Sequence, residues 1–377
     1  MPLIPHRVTL APLDPHRARV VNVALLTSAR SWRGSGVSFV NIAQSLATRG
    51  HVVQLLATAS PVTAGFAAAG LPVRELPIHD TGLAEAKILA RTLKQVETDV
   101  LIAEKPRDVR LGALASLMRR FALAYRYTVN RAEPPRDPIM RLAYRRVRLT
   151  IFSTRSGEAN VLRLAPFMGR PPHRVIYEGV DVDVFRPDEG SGRAFRERHG
   201  FADRPLLLAA GALEWEKRYD WMLEALARLG PGAPTLVIRG SGSLEAAVRA
   251  QAERLRLDVR FLGFLSPHEL AAAYNAATCL VHTGDVETFG LAVAEAMACG
   301  RPVVAVASGA VPEVLGDSGV LAPSDDPAAF ARALAELLTD PERRAALGAS
   351  ARRRAVELFS LERLGREYAE ALETLLG

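Results

Sequence analysis

The chain has 377 residues, 49% of them hydrophobic and 6% aromatic, with 48 Lys and Arg against 41 Asp and Glu for a net charge of +7. That length and apolar content support two or three domains with real cores and exclude a disordered chain. The positive charge suits anionic partners such as phosphates or an acidic membrane surface, no apolar run is long enough to span a bilayer, and the two cysteines, Cys279 and Cys299, read as reduced core residues.

Residues 1–19 hold four prolines without the apolar stretch of a signal peptide, so a tail is expected and a cytoplasmic location with it. Residues 20–26 predict a strand, Ser31-Trp-Arg-Gly-Ser-Gly36 a turn, the segment to residue 49 an amphipathic helix, and residues 50–57 a second strand. A βαβ unit of this kind binds ligands beyond the carboxyl ends of its strands. Gly34 and Gly36 would let the backbone approach a phosphate, although a plain tight turn needs the same residues. Phe39 stands where a third fingerprint glycine would fall and strand two ends without an acid, which argues against a nicotinamide dehydrogenase.

The alternation continues with strands over 71–78 and 100–103 and a helix over 82–96 between them. Glu104-Lys105-Pro-Arg107 follows, then a helix through Met118 and a strand over 122–129. From Arg119 to Arg148 arginines crowd the chain (Arg120, Arg126, Arg131, Arg136, Arg141, Arg145 and Arg146 among them), which predicts either a solvated helix face or a basic patch for anionic acceptors or lipid headgroups. No nucleic-acid motif or aromatic interleaving accompanies them, so nucleic acid is not an expected partner. A strand over 149–154, a helix over 157–164 and Arg174-Val-Ile-Tyr-Glu-Gly-Val-Asp181 complete the first half, and Asp188-Glu-Gly-Ser-Gly192 has linker composition.

The second half restarts the pattern. A strand over 205–211 leads through Glu214-Trp-Glu-Lys-Arg-Tyr-Asp220 into a helix. Residues 235–239 form a strand that ends in Gly240-Ser-Gly242 at a helix N-terminus, and residues 259–263 a strand followed by Phe264-Leu-Ser-Pro-His-Glu269. Two apolar strands, over 278–282 and 302–306, then flank Glu287-Thr-Phe-Gly-Leu-Ala-Val-Ala-Glu295-Ala-Met-Ala-Cys-Gly300. Glu295 sits among small and apolar neighbours, which predicts a partly buried carboxylate in need of donors. Glu287 precedes the helix start, where the N–H groups of Phe289, Gly290 and Leu291 make an anion site. Acids for hydroxyls beside amides for phosphate suggest a sugar nucleotide. Helices over 327–338, 341–357 and 361–376 close the chain.

Glu287 and Glu295, with Phe289-Gly290 between them and Ala-Cys-Gly-Arg-Pro-Val after, resemble the E-x7-E signature of retaining GT-B glycosyltransferases of family 4, the group 1 glycosyltransferases. Ser308-Gly-Ala-Val-Pro-Glu313 resembles the family's G-G-x-P-E turn, and Arg174 to Asp181 its V-I-x-N-G-V-D element, with Glu178 in place of Asn. The resemblance implies an α/β GT-B fold of two Rossmann-like parallel-sheet domains facing a cleft. An acceptor-side domain would occupy 20–187, a linker 188–204, a donor domain 205–360, and a final helix over 361–377 would cross back to the first domain.

The same resemblance implies metal-independent transfer of a sugar, with retention, from a UDP- or GDP-sugar to a glycan, lipid-linked or small-molecule acceptor, without a resident cofactor. Lys217 would hold the diphosphate, with Arg218 in question because Ala212 replaces the family's Arg. Glu287 would hold sugar hydroxyls and Glu295 the ribose. Gly34, Gly36, Gly211, Gly240, Gly242, Phe264, Phe289, Gly290 and Leu291 are the other donor-side candidates. Glu104, Lys105, Arg107 and Arg131 are the acceptor-side ones, and many relatives carry a histidine in the loop where this chain has Glu104-Lys105. A sugar-nucleotide epimerase and a non-catalytic sugar-nucleotide-binding protein stay open, the latter because of Ala212 and the absent histidine.

Overall fold

In the computed structural model, which describes residues 19–128, 137–201 and 204–376, the strands form two separate parallel sheets. The first holds β1 (Asn22–Thr27), β2 (Val52–Ala57), β3 (Val73–Glu75), β4 (Val100–Ala103), β5 (Ala122–Tyr127), β6 (Val147–Phe152) and β7 (His173–Val175), in the order β3-β2-β1-β4-β5-β6-β7. The second holds β8 (Leu206–Ala210), β9 (Thr235–Arg239), β10 (Val259–Gly263), β11 (Cys279–His282), β12 (Val303–Val306) and β13 (Val320–Ala322), in the order β10-β9-β8-β11-β12-β13. The crossovers and flanks are α1 (Gly34–Ala47), α2 (Ser60–Ala68), α3 (Leu83–Gln95), α4 (Pro106–Ala115), α5 (Pro138–Tyr144), α6 (Arg155–Leu164), α7 (Glu189–His199) and α8 (Tyr219–Ala227). They continue with α9 (Glu245–Arg254), α10 (Pro267–Ala276), α11 (Leu291–Ala298), α12 (Val311–Leu315), α13 (Pro327–Thr339), α14 (Pro341–Phe359) and α15 (Leu361–Leu376).

Central strands such as Val100–Ala103, Cys279–His282 and Val303–Val306 are buried at every residue. Helices cover both faces of such strands, which is why they read as unbroken apolar runs. Strand order reverses between β1 and β4 in one sheet and between β8 and β11 in the other. Loops diverge at such a switch point and leave a crevice at the strands' carboxyl ends. The crevice of the second sheet therefore lies between the loop carrying Lys217, after β8, and the loop carrying Glu287, after β11.

Several expectations are corrected. Residues 189–199, read as linker, form α7. Asp188 caps the helix by accepting from Ser191 N, left-handed Gly200 (φ 66°) closes it, and Gly192 lies so near the Asn275 backbone that a Cβ would stand 2.6 Å from it. Small residues here serve close helix packing against α10. The strand expected over 71–78 shrinks to Val73–Glu75, bounded by Pro72 and Pro77, which lack ladder donors. The helix expected through Met118 ends at Ala115. Two short helices, α2 and α5, start with proline near their first turn and carry too few residues for a periodic signal.

The final helix packs on α1: Leu364, Tyr368, Leu372 and Leu375 are buried in the core around β1 and α1, and Arg49 donates to Glu362 O at 3.1 Å. Arg126, expected in a basic patch, is 2% exposed and lies inside the first domain. It pairs with Glu178, stands 3.8 Å from Glu104 and 5.5 Å from the centre of the Phe39 ring. Burial alone would depress its pKa; Glu178, Tyr368 and Glu104 reverse this and keep the guanidinium charged. Glu178, at the position where the resemblance has Asn, is thus the counter-ion of a buried arginine. Removing that cation leaves the buried Glu178 carboxylate without its counter-ion and takes one of two cations from Glu104, so Arg126→Met is expected to lower unfolding stability by about 3–5 kcal/mol, read as a drop in urea midpoint.

Candidate functional site

Lys217 and Glu287 meet across the switch point of the second sheet as an ion pair between Nζ and Oε1. Thr283, just past β11, fixes the lysine's loop by donating to Lys217 O at 2.8 Å. Ala310 N donates to Glu287 O at 3.1 Å and fixes the other loop from beneath. Gly309 (φ 56°) comes so close to that carbonyl that a Cβ would stand 2.6 Å away. His282 ends β11 with Nε2 3.4 Å from Glu287 Oε1. Burial raises the Glu287 pKa, but the Lys217 ammonium and His282 outweigh it and hold the carboxyl well below the usual range. An ionised carboxylate and an ammonium are thereby held at the cleft with little freedom.

Gly290 (φ 96°) caps α11 in the left-handed region, where a Cβ is disfavoured. The turn it makes aims the start of α11 at the crevice, and Leu291 lies against Gly34 of the first domain: a Cβ on Gly34 would stand 3.6 Å from Leu291 Cδ1. Four residues into that helix, Glu295 is partly exposed and accepts from Tyr274 OH at 2.9 Å. Burial pushes its pKa up to about 7 against the opposing influence of Arg239 and that hydrogen bond. The two acids of the signature thus differ: Glu287 is charged, while Glu295 titrates near neutrality.

Other candidates fall elsewhere. Arg218, left-handed at φ 51°, donates to Ser324 O at 2.8 Å, stands 3.8 Å from Asp285 and covers the Trp221 ring; the structure does not bring it to the Lys217–Glu287 pair. The Phe289 ring is buried between Phe359 and Tyr177, which leaves only its backbone to a ligand. Gly36 lies under the Trp32 ring, where a Cβ would come within 2.8 Å. Gly240 and Gly242 admit the backbone of the loop after β8, with Gly211 O 1.9 Å and Leu213 O 2.3 Å from their Cβ positions, and Gly240 N is committed to Gly263 O. Gly211 (φ 156°) presses on the Lys217 side chain and so helps aim it. Phe264 is 70% exposed and stacks on the Arg239 guanidinium at 5.1 Å.

On the first domain, Glu104 is buried and saturated. It accepts from Thr27 at 2.6 Å and Thr128 at 3.1 Å, and Lys105 Nζ lies 3.3 Å away. Arg107 holds Ile78 O at 3.0 Å. These three organise the loop after β4 through contacts within the first domain. Arg131 and Arg136 lie outside the described residues. Sequence reasoning missed His282, Tyr274 and Arg239, and it missed the lining of the expected cleft between the halves, which has an empty volume of about 660 Å³. Tyr127, Phe152, Ser153, Thr154, Ser156, Gly157, Asn160 and Val161 line it from one side, Glu287, Thr288, Gly309 and Ala310 from the other. The hydroxyl-rich run 153–156 after β6 was its signal.

Direct bonds join the two halves around this cleft. Ser153 Oγ and Thr154 Oγ1 donate to Thr288 O at 3.1 and 3.3 Å. Glu313 accepts from Arg155 N, Ser156 N and Ser156 Oγ at 2.7–2.8 Å. Arg33 donates to Glu216 at 3.0 Å.

Two doubly wound parallel sheets facing one cleft, with an acid–ammonium pair and a helix N-terminus at the crevice of the second, define a two-domain Rossmann-like protein. The family model described as "Glycosyltransferase Family 4" matches residues 32–184 and that described as "Glycosyl transferases group 1" matches 192–354; the chain belongs to this glycosyltransferase family. It is 39% identical over 190 residues to D-inositol 3-phosphate glycosyltransferase of Xylanimonas cellulosilytica (47% of this chain, 46% of that protein). It is 34% identical over 207 residues to the GDP-mannose-dependent alpha-(1-6)-phosphatidylinositol monomannoside mannosyltransferase of Mycolicibacterium smegmatis (52% of this chain, 54% of that protein). The chain thus spans about half the length of the curated relatives it matches. Its fold is GT-B: Anabaena Alr3699/HepE in complex with UDP and glucose superposes with a TM-score of 0.81 at 21% identity, over 94% of this chain and 100% of that one.

Because the unfolded Glu295 carboxyl loses its proton near pH 4.5 and the folded one near 7, the folded state binds more protons between these values and stability falls as pH rises through them. Glu295→Gln is expected to flatten that fall, checked by melting temperatures between pH 4.5 and 7.5.

Proposed function

We propose that the chain transfers a sugar from a nucleotide diphosphate sugar, a UDP- or GDP-sugar, to an acceptor hydroxyl with retention and without a metal ion. The observation that carries this reading is the Lys217–Glu287 pair at the second sheet's crevice, beside the start of α11. A lysine ammonium has three donors, so one can stay on Glu287 while another meets the departing diphosphate. Fixed charge and amides of this kind stabilise a leaving phosphate without reorganising during the reaction. Glu287 accepts from sugar hydroxyls and Glu295 from the ribose. The acceptor oxygen attacks the anomeric carbon on the face the diphosphate leaves, and its proton passes to the departing phosphate oxygen.

In this reading residues 20–187 carry the acceptor side, 205–360 bind the donor and the last helix ties them together. The named relatives, one using inositol 3-phosphate and one a mannosylated phosphatidylinositol, support an acceptor of polyol or lipid-linked glycan type. A lipid-linked acceptor requires contact with a membrane surface. Helices α4 and α5 pack on each other, and that region exposes Leu117, Met118, Ile139 and Leu142 at 43–65% beside exposed Arg120, Arg141, Arg145 and Arg146. Exposed apolar side chains and exposed arginines on the same segments suit peripheral binding to anionic lipid, each basic residue adding about 1 kcal/mol at the surface.

Nucleotide release from a panel of UDP- and GDP-sugars tests the activity. Glu287→Ala and Lys217→Ala are each expected to lower kcat/KM by about 100- to 1000-fold, whereas release that neither substitution changes would sink the reading. Co-sedimentation with phosphatidylglycerol vesicles should fall on Ile139→Asp with Leu142→Asp and on raising salt; binding untouched by both would remove the surface patch from the proposal.

A further inference from the structure

Most cations around the crevice of the second sheet have a counter-ion. Lys217 pairs with Glu287, so the two together bring no net charge. Arg218 stands 3.8 Å from Asp285, and Arg33 lies 3.0 Å from Glu216 and 3.8 Å from Glu214. Arg239 differs from these. It is partly exposed and has no ion pair among the described residues. Its Nε is buried without a hydrogen-bond partner, and Nη2 reaches only Leu265 O, at 3.4 Å.

The fold sets this charge beside the crevice. Arg239 ends β9, in register with Ala210 of β8, and its carbonyl accepts from Gly211 N at 3.0 Å. The guanidinium carbon lies 5.1 Å from the centre of the Phe264 ring, and a guanidinium stacked on a ring keeps the N–H groups of its edge for a ligand. Three groups of the crevice feel the charge. Burial raises the Tyr274 phenol and Glu295 adds to this, while Arg239 opposes both. Burial and Glu287 raise Tyr219, again against Arg239, and burial raises Glu295 with Arg239 opposing it. Tyr219 OH donates to Gly211 O at 3.2 Å, and a Cβ on Gly211 would stand 3.1 Å from Lys217 Cε. Arg239 therefore adjoins both the Glu295–Tyr274 contact and the loop that carries Lys217.

A buried donor without a partner costs stability, and a cation without a counter-ion favours an anion that arrives with the ligand. We propose, resting on the glycosyltransferase reading, that Arg239 is a further donor-binding residue whose guanidinium, braced by Phe264, takes the phosphate next to the ribose. The division of labour follows the two acids. Arg239 stands on the Glu295 side, where that reading has the ribose, and Lys217 on the Glu287 side, where it has the sugar. Arg239 thereby brings the net positive charge that the Lys217–Glu287 pair does not. The phosphate next to the ribose gains less charge than the sugar-bearing one as the bond breaks, so this contact is nearly alike before and during transfer. Its loss is then read in the donor KM more than in kcat.

The test titrates the full chain calorimetrically with uridine, UMP and UDP and with guanosine, GMP and GDP, and follows the series that binds the unaltered protein more tightly. Arg239→Met is expected to weaken the monophosphate and the diphosphate alike, each by about 10- to 100-fold, and to move the nucleoside by less than about threefold. In turnover the donor KM should rise by a similar factor while kcat changes by less than about threefold. Lys217→Ala should instead weaken the diphosphate more than the monophosphate. Should Arg239→Met melt below the assay temperature, Arg239→Gln, which keeps donors but loses the charge, is measured in its place against the same expectations.

A monophosphate affinity unchanged by loss of Arg239, a loss confined to the diphosphate or to kcat, or an equal loss with the nucleoside would overturn the inference and leave the glycosyltransferase reading intact in a protein that turns over a donor. If the unaltered protein binds nucleotides in the expected pattern but moves sugar from no donor, the glycosyltransferase reading fails and the phosphate site at Arg239 stands. If it binds neither series, both fail.

Discussion

One partly buried ion pair gives the cleft its electrostatics. Burial works against the charge of Glu287, on the loop after β11; Lys217, on the loop after β8, outweighs it, and His282 adds to that from the end of β11. The pair exists because strand order reverses between these two strands, which sends their loops apart and then lets their tips meet. Glycines serve this meeting by having no side chain: Gly211 beneath the lysine stem, Gly309 beneath the Glu287 carbonyl and Gly240 beneath the loop itself.

Around this point the first domain is not a passive lid. Ser153 and Thr154 bind the Thr288 carbonyl, Glu313 caps the start of α6 from the other domain, and Arg33 holds Glu216 one residue from Lys217. The carboxylate of Glu313 takes the place that an anion would have at a helix N-terminus. Movement of the halves relative to each other must break these bonds and would alter the loops that carry Lys217 and Glu287, so the two sides of the cleft are mechanically linked. Alpha15, lying on α1 but continuous with α14, adds a covalent and apolar tie between the domains.

Much of the fold was legible because the buried parallel strands are short apolar runs closed by glycine or a polar residue, and because the E-x7-E spacing puts one acid in the loop before a helix and the other within it. Where the reading failed, the reasons are particular. The Gly-Ser composition at 189–192 indicated flexibility, yet those small residues serve a helix that must approach α10. Phe289 lies within the signature, but its ring turns into the core between two aromatics that are distant in sequence. Arg126 looked like one more surface arginine until Glu178, 52 positions on, proved to be its counter-ion. Arg218 sits next to Lys217, yet its left-handed backbone sends its side chain toward Ser324 and Trp221.

By itself the amino-acid sequence determined the two α/β halves, the crevice of the second sheet and the placing of Lys217, Glu287 and Glu295 beside it, since these depend on local periodicity and on residues close together in the chain. Only the tertiary structure decided which charge faces which. The separation of Glu287 and Glu295 into a charged acid and one that titrates near neutrality, and the recruitment of His282, Tyr274 and Arg239, depend on burial and distance between segments far apart in the chain. Electrostatic energy depends on spatial separation and local dielectric, and neither quantity is written along a sequence.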